Sequence, residues 1–474
     1  MADKNSVYIT TTLPYVNSEP HLGFALEIVQ ADAFARYQRL LGKDVFFNFG
    51  TDEHGLKIYR RAIENKKTPQ EYVDEYAKKF DALKNSLNLS YNNFVRTTNT
   101  HHIMAAQEFW ERCDQNGDIY KKNYKQKYCV GCELEKTDSE LVDGHCPLHP
   151  KLEIEIIEEE NYFFKFSKYQ KPLLDFYDKN PDFVVPPGKF NEIKSFVKEG
   201  LQDFSISRLK SKMPWGVPVP NDSEHVMFVW FDALVNYVSA IGWPDSIEKF
   251  DKWWPVIQFA GKDNLRQQTA TWQAMLMSAG LPNSKQIFIH GFITVDGQKI
   301  SKSLGNTINP IEVAEKYGTD ALRYYLLAKI NPYEDSDFTF KQFEETFNGE
   351  LANGLGNLVA RTAKLCQNSG FEFATSKVAI DPQIEQVLKE YKFDFALKTI
   401  WEEVAQTDQF INEEEPWTLS GEELKKVLTH LIDHLRSIAF NLKPFLPETA
   451  EKIEKQFKGP KIESEAPLFP RLNK

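Results

Sequence analysis

No apolar run in this chain approaches the 18 or so residues that a membrane-spanning helix needs. The opening residues, MADKNSVYIT, lack the apolar core of a secretory signal, so cytoplasmic residence is the expectation. Cysteine is scarce, at five in 474 residues, which excludes a disulfide scaffold. Internal repeats and long low-complexity tracts are absent, and with them the solenoid reading. Positive charge is also short: 57 Lys and Arg stand against 68 Asp and Glu, a net charge of −11. That balance argues against non-specific coating of nucleic acid, while leaving room for a local basic face. What is present is ordinary globular material, 42% hydrophobic and 26% charged. The length suits a chain of roughly two to four domains.

Short apolar runs at 6–10 and 44–49 read as buried strands. Between them Leu26, Val29, Ala33, Tyr37 and Leu40 recur at helical spacing, and Gly42 ends the pattern. Strand, helix, strand predicts a right-handed parallel unit with its ligand site at the carboxyl ends of the strands. The helix opens on His-Leu-Gly-Phe, residues 21–24, and a helix N-terminus favours anions. Residues 120–165 change character, to short strands, cysteines and the charged run EIEIIEEEN. They read as an insertion. Strands at 256–260 and 286–290, with a helix over TATWQAMLMSAG, begin a second half. From about 345 the pattern is helical, with Leu351, Leu355, Leu358 and Leu365 marking one helix. The fold class is α/β: a doubly wound, Rossmann-like parallel sheet with an inserted zinc knuckle and a C-terminal all-helical domain. The expected divisions are 1–115 and 226–295 for the two sheet halves, 116–225 for the insertion, 296–345 for a lysine loop and stem-contact region, and 346–474 for the helical domain.

Three cysteines and a histidine, Cys129, Cys132, Cys146 and His149, are spaced C-x2-C-x13-C-x2-H. Two such pairs close a tetrahedral zinc site, and four protein ligands make it structural, one ion per chain. His145 is a rival ligand, but the x2 spacing favours His149. Cys113 and Cys366 read as ordinary buried thiols. A second cluster, GQKISKSLGN at 297–306, sets lysines and serines between glycines. It suits a solvated loop or a flexible cationic clamp for polyphosphate.

HLGF at 21–24 and KISKS at 299–303, in that order, resemble the HIGH and KMSKS signatures of class I aminoacyl-tRNA synthetases. The stretches TLPYVN, GTDEHG, FVWFDAL, GKDN, HGF, TDALRYYLL, NGLGNLVAR and EEEPW extend the resemblance, along nearly the whole chain, to the methionyl-tRNA synthetase family. The resemblance implies a methionine–tRNA ligase that makes methionyl-adenylate and pyrophosphate from methionine and ATP, then loads a methionine-accepting tRNA. It implies catalytic roles for His21, Lys299 and Lys302, and ATP contacts from His21, Gly23, Asp263, Gly291 and Lys302. Leu13, Tyr15, Trp230, Ala233, Tyr237 and Gln268 would line the methionine pocket, with Asp52 on the α-ammonium; an aromatic wall suits a thioether and a carboxylate suits an ammonium. Mg²⁺ would accompany ATP. Asn357, Arg361 and Trp417 would read the anticodon by edge hydrogen bonds and stacking. TDALRYYLL receives only a packing role.

The sequence departs from the family at Phe24 (usually His), Leu234 (often Pro), Asn264 and Gln268. Leucine, isoleucine and valine enzymes carry an editing domain, for which this insertion is too short. A cysteinyl enzyme would place zinc ligands in the catalytic domain rather than in the insertion. A nucleotidylyltransferase would not need the helical tail, and a non-catalytic RNA-binding homologue would not need KISKS. The chain ends at Lys474, soon after the helical region, where some relatives append a further domain; a monomer is expected.

Overall fold

The computed structural model describes residues 5–300 and 305–472. The chain divides into two compact units. One is built from the chain up to Pro20 with Lys43–Ala82 and Tyr91–Ile289; the other from His21–Gly42, Leu83–Ser90 and the chain from His290 onward.

The first unit holds a six-stranded sheet, in the order Asn93–Arg96, Asp44–Thr51, Ser6–Thr11, Val256–Gly261, Gln286–His290 and Val184–Val185. Ser6–Thr11 pairs in parallel with both of its neighbours, Asp44–Thr51 and Val256–Gly261. Chain order reverses between those neighbours, and such a switch point opens a crevice at the carboxyl ends of the strands. The central strands are near-continuous apolar runs because helices cover both faces of a parallel sheet. The strand Val184–Val185, two residues long, escapes sequence reading because it is too short to carry a period.

The insertion is not made of short strands as expected. Ile119–Cys129 and Glu155–Phe164 form one long antiparallel ribbon, paired from Ile119 with Phe164 to Tyr128 with Glu155. The charged run is itself the second strand. Lys125 of the first strand faces Glu158 of the second in an exposed pair at 2.9 Å, and opposite charges across a ribbon are favoured. The ribbon delivers Cys129 to its tip.

In the second unit the helix Leu22–Leu40 is buried on nearly all sides, including the polar residues Glu27, Gln30 and Asp32. The expected stripe is present at Leu26, Val29, Ala33 and Tyr37. Asp32 is fully buried. It lies 2.8 Å from Arg323, 2.8 Å from Arg36, and accepts hydrogen bonds from Ser90 N–H and Oγ–H, each at 2.6 Å. Burial alone would push its carboxyl up, but Arg323, Arg36 and Ser90 outweigh burial and hold it below the usual range. Arg323 comes from TDALRYYLL, and its other N–H groups reach the carbonyls of Phe445 (2.8 Å), Leu87 (3.1 Å) and Pro444 (3.2 Å). The motif is therefore a packing hub. Helices Asn357–Ser369, Pro382–Leu388, Phe393–Glu414, Gly421–Leu442 and Pro447–Gln456 complete the unit. The segment Phe347–Gly356 is π-helical rather than α-helical, yet Leu351, Leu355 and Leu358 all point into the core. No described helix is long and apolar enough to cross a membrane.

Replacing Arg323 strands a buried carboxylate. Arg323→Met is expected to cost this unit about 3–5 kcal/mol, read as a lowered urea midpoint by circular dichroism. An unchanged midpoint refutes the hub. Because the folded state depresses the carboxyl of Asp32, its contribution is present above the unfolded value of about 3.9 and is lost as pH falls through the lower folded value.

Candidate active site and metal centre

The carboxyl ends of the central strands of the first unit gather most of the expected amino-acid site. Tyr15 and Asp52 form an isolated parallel bridge: Val16 N–H donates to the Asp52 carbonyl at 3.1 Å, and Asp52 N–H donates to that of Pro14 at 3.0 Å. Leu13 and Tyr15 are half-buried just before it. The Asp52 carboxylate is buried, and its Oδ1 has no hydrogen-bond partner among the described residues. Burial, then the carboxylates of Asp232 and Glu133, push its carboxyl well above the usual range. A buried anion with an open oxygen is costly, and a bound cation relieves it.

Trp230 and Ala233 lie on the short helix Val229–Leu234, and Tyr237 on the turn after it. Trp230 and Tyr15 pack on Tyr128, Phe228 and Val229, and the Trp230 Nε1 is buried without a partner among the described residues. Tyr237 is fully buried, edge-on to Trp272 at 5.7 Å, and its carbonyl accepts from the Tyr8 phenol at 2.9 Å. Gln268 lies in a π-helical turn, Gln267–Thr271, a geometry frequent at functional sites. Its Oε1 accepts from Gln258 Nε2 at 2.9 Å, so one face of that amide is committed. Asp263 is exposed in the turn Lys262–Asn264 and accepts from Asn264 Nδ2 at 3.2 Å.

Two neighbours of this group have no role in the sequence reading. His54 Nδ1 lies 2.6 Å from Asp232 Oδ2, and both side chains are buried. An aspartate inside the apolar stretch FVWFDAL was the available signal, since a charge is seldom buried without a partner.

The ribbon tip and the following turns bring together Cys129, Cys132, Cys146 and His149, with all four ligand atoms within 4.8 Å of one another. Cys132 Sγ lies 3.4 Å from Cys146 Sγ and 3.2 Å from His149 Nδ1; Cys129 Sγ lies 3.8 Å from that nitrogen. Metal–sulfur bonds of about 2.3 Å in a tetrahedron set sulfurs roughly 3.8 Å apart, so the cluster can hold a metal ion. The hydrogen bond between Cys129 and Cys132 holds the Cys129 thiol well below its ordinary value and pushes the Cys132 thiol well above it. His145 is exposed, outside the group.

The second unit holds the HLGF stretch and, of the second signature, the described residues Lys299 and Ile300. His21 is the N-cap of its helix, and its Nδ1 accepts from Gly23 N–H at 3.1 Å. That bond leaves the other ring nitrogen, Nε2, to carry the proton in a neutral imidazole. A Cβ at Gly23 would sit 3.0 Å from His21 Cε1, so glycine lets the ring fold over the helix end. The ring of Phe24 lies against it, centroids 4.4 Å apart. Leu22 N–H donates to the Ile308 carbonyl at 3.1 Å, three residues beyond Gly305. Lys299 is exposed on a short strand, and its carbonyl accepts from Asn306 Nδ2 at 3.0 Å. Lys302 lies outside the described residues. Gly291 is buried where a Cβ would meet the Glu334 carbonyl oxygen at 2.2 Å, so glycine there already serves packing. The preceding His290 lies 2.9 Å from Glu27, one turn beyond Gly23.

Among the helices, Asn357 is exposed and Trp417 is 56% exposed, in the turn between Phe393–Glu414 and Gly421–Leu442. Arg361 is half-buried, bonded to Asp408 and Asn412 at 3.0 Å each.

Residues 7–155 and 151–363 match the family model of tRNA synthetases class I (M), and the chain belongs to that family. Its similarity within the class is to methionyl enzymes. A methionine–tRNA ligase of Nostoc sp. is 42% identical over 94% of this chain and 89% of its own length. One from Thermotoga maritima is 40% identical over 94% of this chain and 74% of its own. Among solved structures, methionyl-tRNA synthetase of Mycobacterium tuberculosis in complex with methionyl-adenylate superposes with a TM-score of 0.91 at 33% identity, over 98% of this chain and all of that one. The apo form of that enzyme gives 0.83 at 30% identity, over 99% of both chains.

Metal analysis of the purified chain is expected to find about one ion per chain, and Cys132→Ser to reduce it to near zero. A folded wild-type chain free of metal would refute the centre.

Proposed function

We infer that this chain is a methionine–tRNA ligase, AMP-forming, acting in translation initiation and elongation. The observation that carries the reading is the buried Asp52 carboxylate, one oxygen open, beside the aromatic group of Tyr15 and Trp230, in a chain of the class I (M) family. The open oxygen suits an α-ammonium, and the apolar ring faces suit a polarisable thioether.

In adenylate formation a carboxylate oxygen of methionine attacks the α-phosphorus of ATP. The bond from that phosphorus to the bridging oxygen of the β-phosphate breaks, and pyrophosphate leaves. A terminal ribose hydroxyl of the tRNA then attacks the activated carbonyl, and AMP leaves with the phosphate oxygen. Such displacements need positioning and neutralisation of spreading negative charge. His21, its Nδ1 occupied, offers Nε2–H at a helix N-terminus, where phosphate oxygens are favoured. Lys299 and Lys302 supply positive charge, and Gly23, Asp263 and Gly291 complete the ATP contacts. Mg²⁺ arrives with ATP and neutralises its phosphates. Leu13, Ala233, Tyr237 and Gln268 line the remainder of the methionine pocket.

Three thiols and an imidazole form a soft, closed, four-ligand set, which suits a structural zinc that cross-links the two turns of the knuckle. Asn357 and Arg361, with the exposed indole of Trp417, provide edges and a stacking face for anticodon bases. The same reading keeps the division at 1–115, 116–225, 226–295, 296–345 and 346–474, with a monomer as the working form.

ATP–pyrophosphate exchange, scanned over the amino acids, is expected to respond to methionine. Exchange with a different amino acid overturns the pocket. Asp52→Ala should lower kcat/KM for methionine on the order of 100-fold or more, as expected for a buried charge pair. Trp417→Ala should weaken tRNA charging roughly tenfold and leave exchange intact, by the worth of one stacked base. Equal loss in both assays would show that Trp417 is structural instead.

A further inference from the structure

Glu133 follows Cys132 directly, at the turn between the ribbon tip and the strand Leu134–Lys136, with its backbone in the left-handed region at φ +52°. Its side chain turns away from the thiols and is buried. Oε1 accepts from the Tyr15 phenol at 3.1 Å and from Lys57 N–H at 2.7 Å; Oε2 accepts from the Tyr128 phenol. Lys57 N–H is one of the orphan donors that open the helix Leu56–Glu64, whose N-cap, Gly55, has no side chain to cap it. Glu133 supplies that cap from a distant part of the chain, and the helix end favours its charge. The Lys57 ammonium also donates to the Gly131 carbonyl at 3.1 Å, inside the knuckle. Gly55 leaves room for the bond between Tyr15 and Glu133: a Cβ there would lie 2.4 Å from the phenol oxygen and 3.3 Å from Glu133 Oε1. The tilt of the Tyr15 ring thus follows from the seat of Glu133, which follows from the turn that the cluster residues form.

We propose that Glu133 is a positioning residue that ties the orientation of Tyr15, and hence methionine recognition, to the Cys/His knuckle. The proposal rests on the reading of Tyr15 as a wall of the methionine pocket. The hydrogen bonds of the carboxylate all come from this chain's own groups, Tyr15, Lys57 and Tyr128. Its effect is on the pocket alone, so methionine affinity changes while ATP affinity does not.

The test is a double-mutant cycle on the whole chain, with methionine binding followed by calorimetry, exchange kinetics in parallel, and bound metal measured for each variant. Glu133→Ala is expected to weaken methionine binding on the order of tenfold, the worth of a lost buried hydrogen bond, with KM for ATP and metal content unchanged. Glu133→Gln keeps an acceptor for Tyr15 and should recover most of the affinity. In a Tyr15→Ala background the Glu133→Ala change should have no further effect. Additive losses overturn the proposal, as does a Glu133→Ala variant that binds methionine normally or has lost its metal. If Tyr15→Ala itself leaves methionine binding unchanged, the pocket reading falls, and the proposal with it.

Discussion

The fully buried pair of Asp32 and Arg323 is the constraint on which the second unit depends. Taking two charges out of water costs several kcal/mol each, and attraction alone seldom recovers it. Here every guanidinium nitrogen has a partner. Arg323 spends its N–H groups on Asp32 and on three carbonyls from two separate segments, 87 and 444–445. Asp32 takes further bonds from Arg36 and Ser90. The helix that begins at His21 is thereby fixed against the helix Thr319–Ala328 and the chain entering Pro447–Gln456. A mere apolar contact would fill the same volume without fixing the register. His21 is the N-cap of that helix, so the pair also fixes where its ring is held.

Buried carboxylates elsewhere sort by how completely they are satisfied. Glu133 has three donors and no free oxygen to offer, so it holds neighbours in place. Among the described residues Asp52 keeps an oxygen without a partner and has other acids around it, so its charged form is costly. Asp232 lies between these cases, with one oxygen on His54 and the other unpartnered among the described residues. Counting donors separates a satisfied acid from an unsatisfied one more sharply than burial does, since all three are buried.

The sheet was legible because its central strands are unbroken apolar runs and the first helix has a clean period. The metal cluster was legible because ligand spacing survives any detail of the turns between. The long ribbon was not: lysine and glutamate runs look like solvated loops until one strand is laid against the other. Nor was the π-helical segment at 347–356, where the leucine spacing fits either helix. Asp32 and Arg323 were hidden for another reason. Each sits in a pattern that reads as plain packing, and their pairing spans 291 positions, which only the fold can bring together.

The departure at Phe24 has a physical account in the same local terms. In the family pattern that place usually holds a second histidine. Here a phenyl ring lies 4.4 Å from the His21 ring, tilted by 37°. It offers no proton and no charge, so on the roles proposed for His21 and the lysines, phosphate binding rests on those residues alone. What it does offer is contact surface on one side of the imidazole, while Gly23 N–H fixes the ring by a hydrogen bond to Nδ1. On the role proposed for His21, an imidazole fixed in this way keeps its donor aimed in one direction, and a donor that needs no reorganisation is worth more in a transition state than a mobile one. On that reading Phe24 exchanges a second polar group for tighter control of the first.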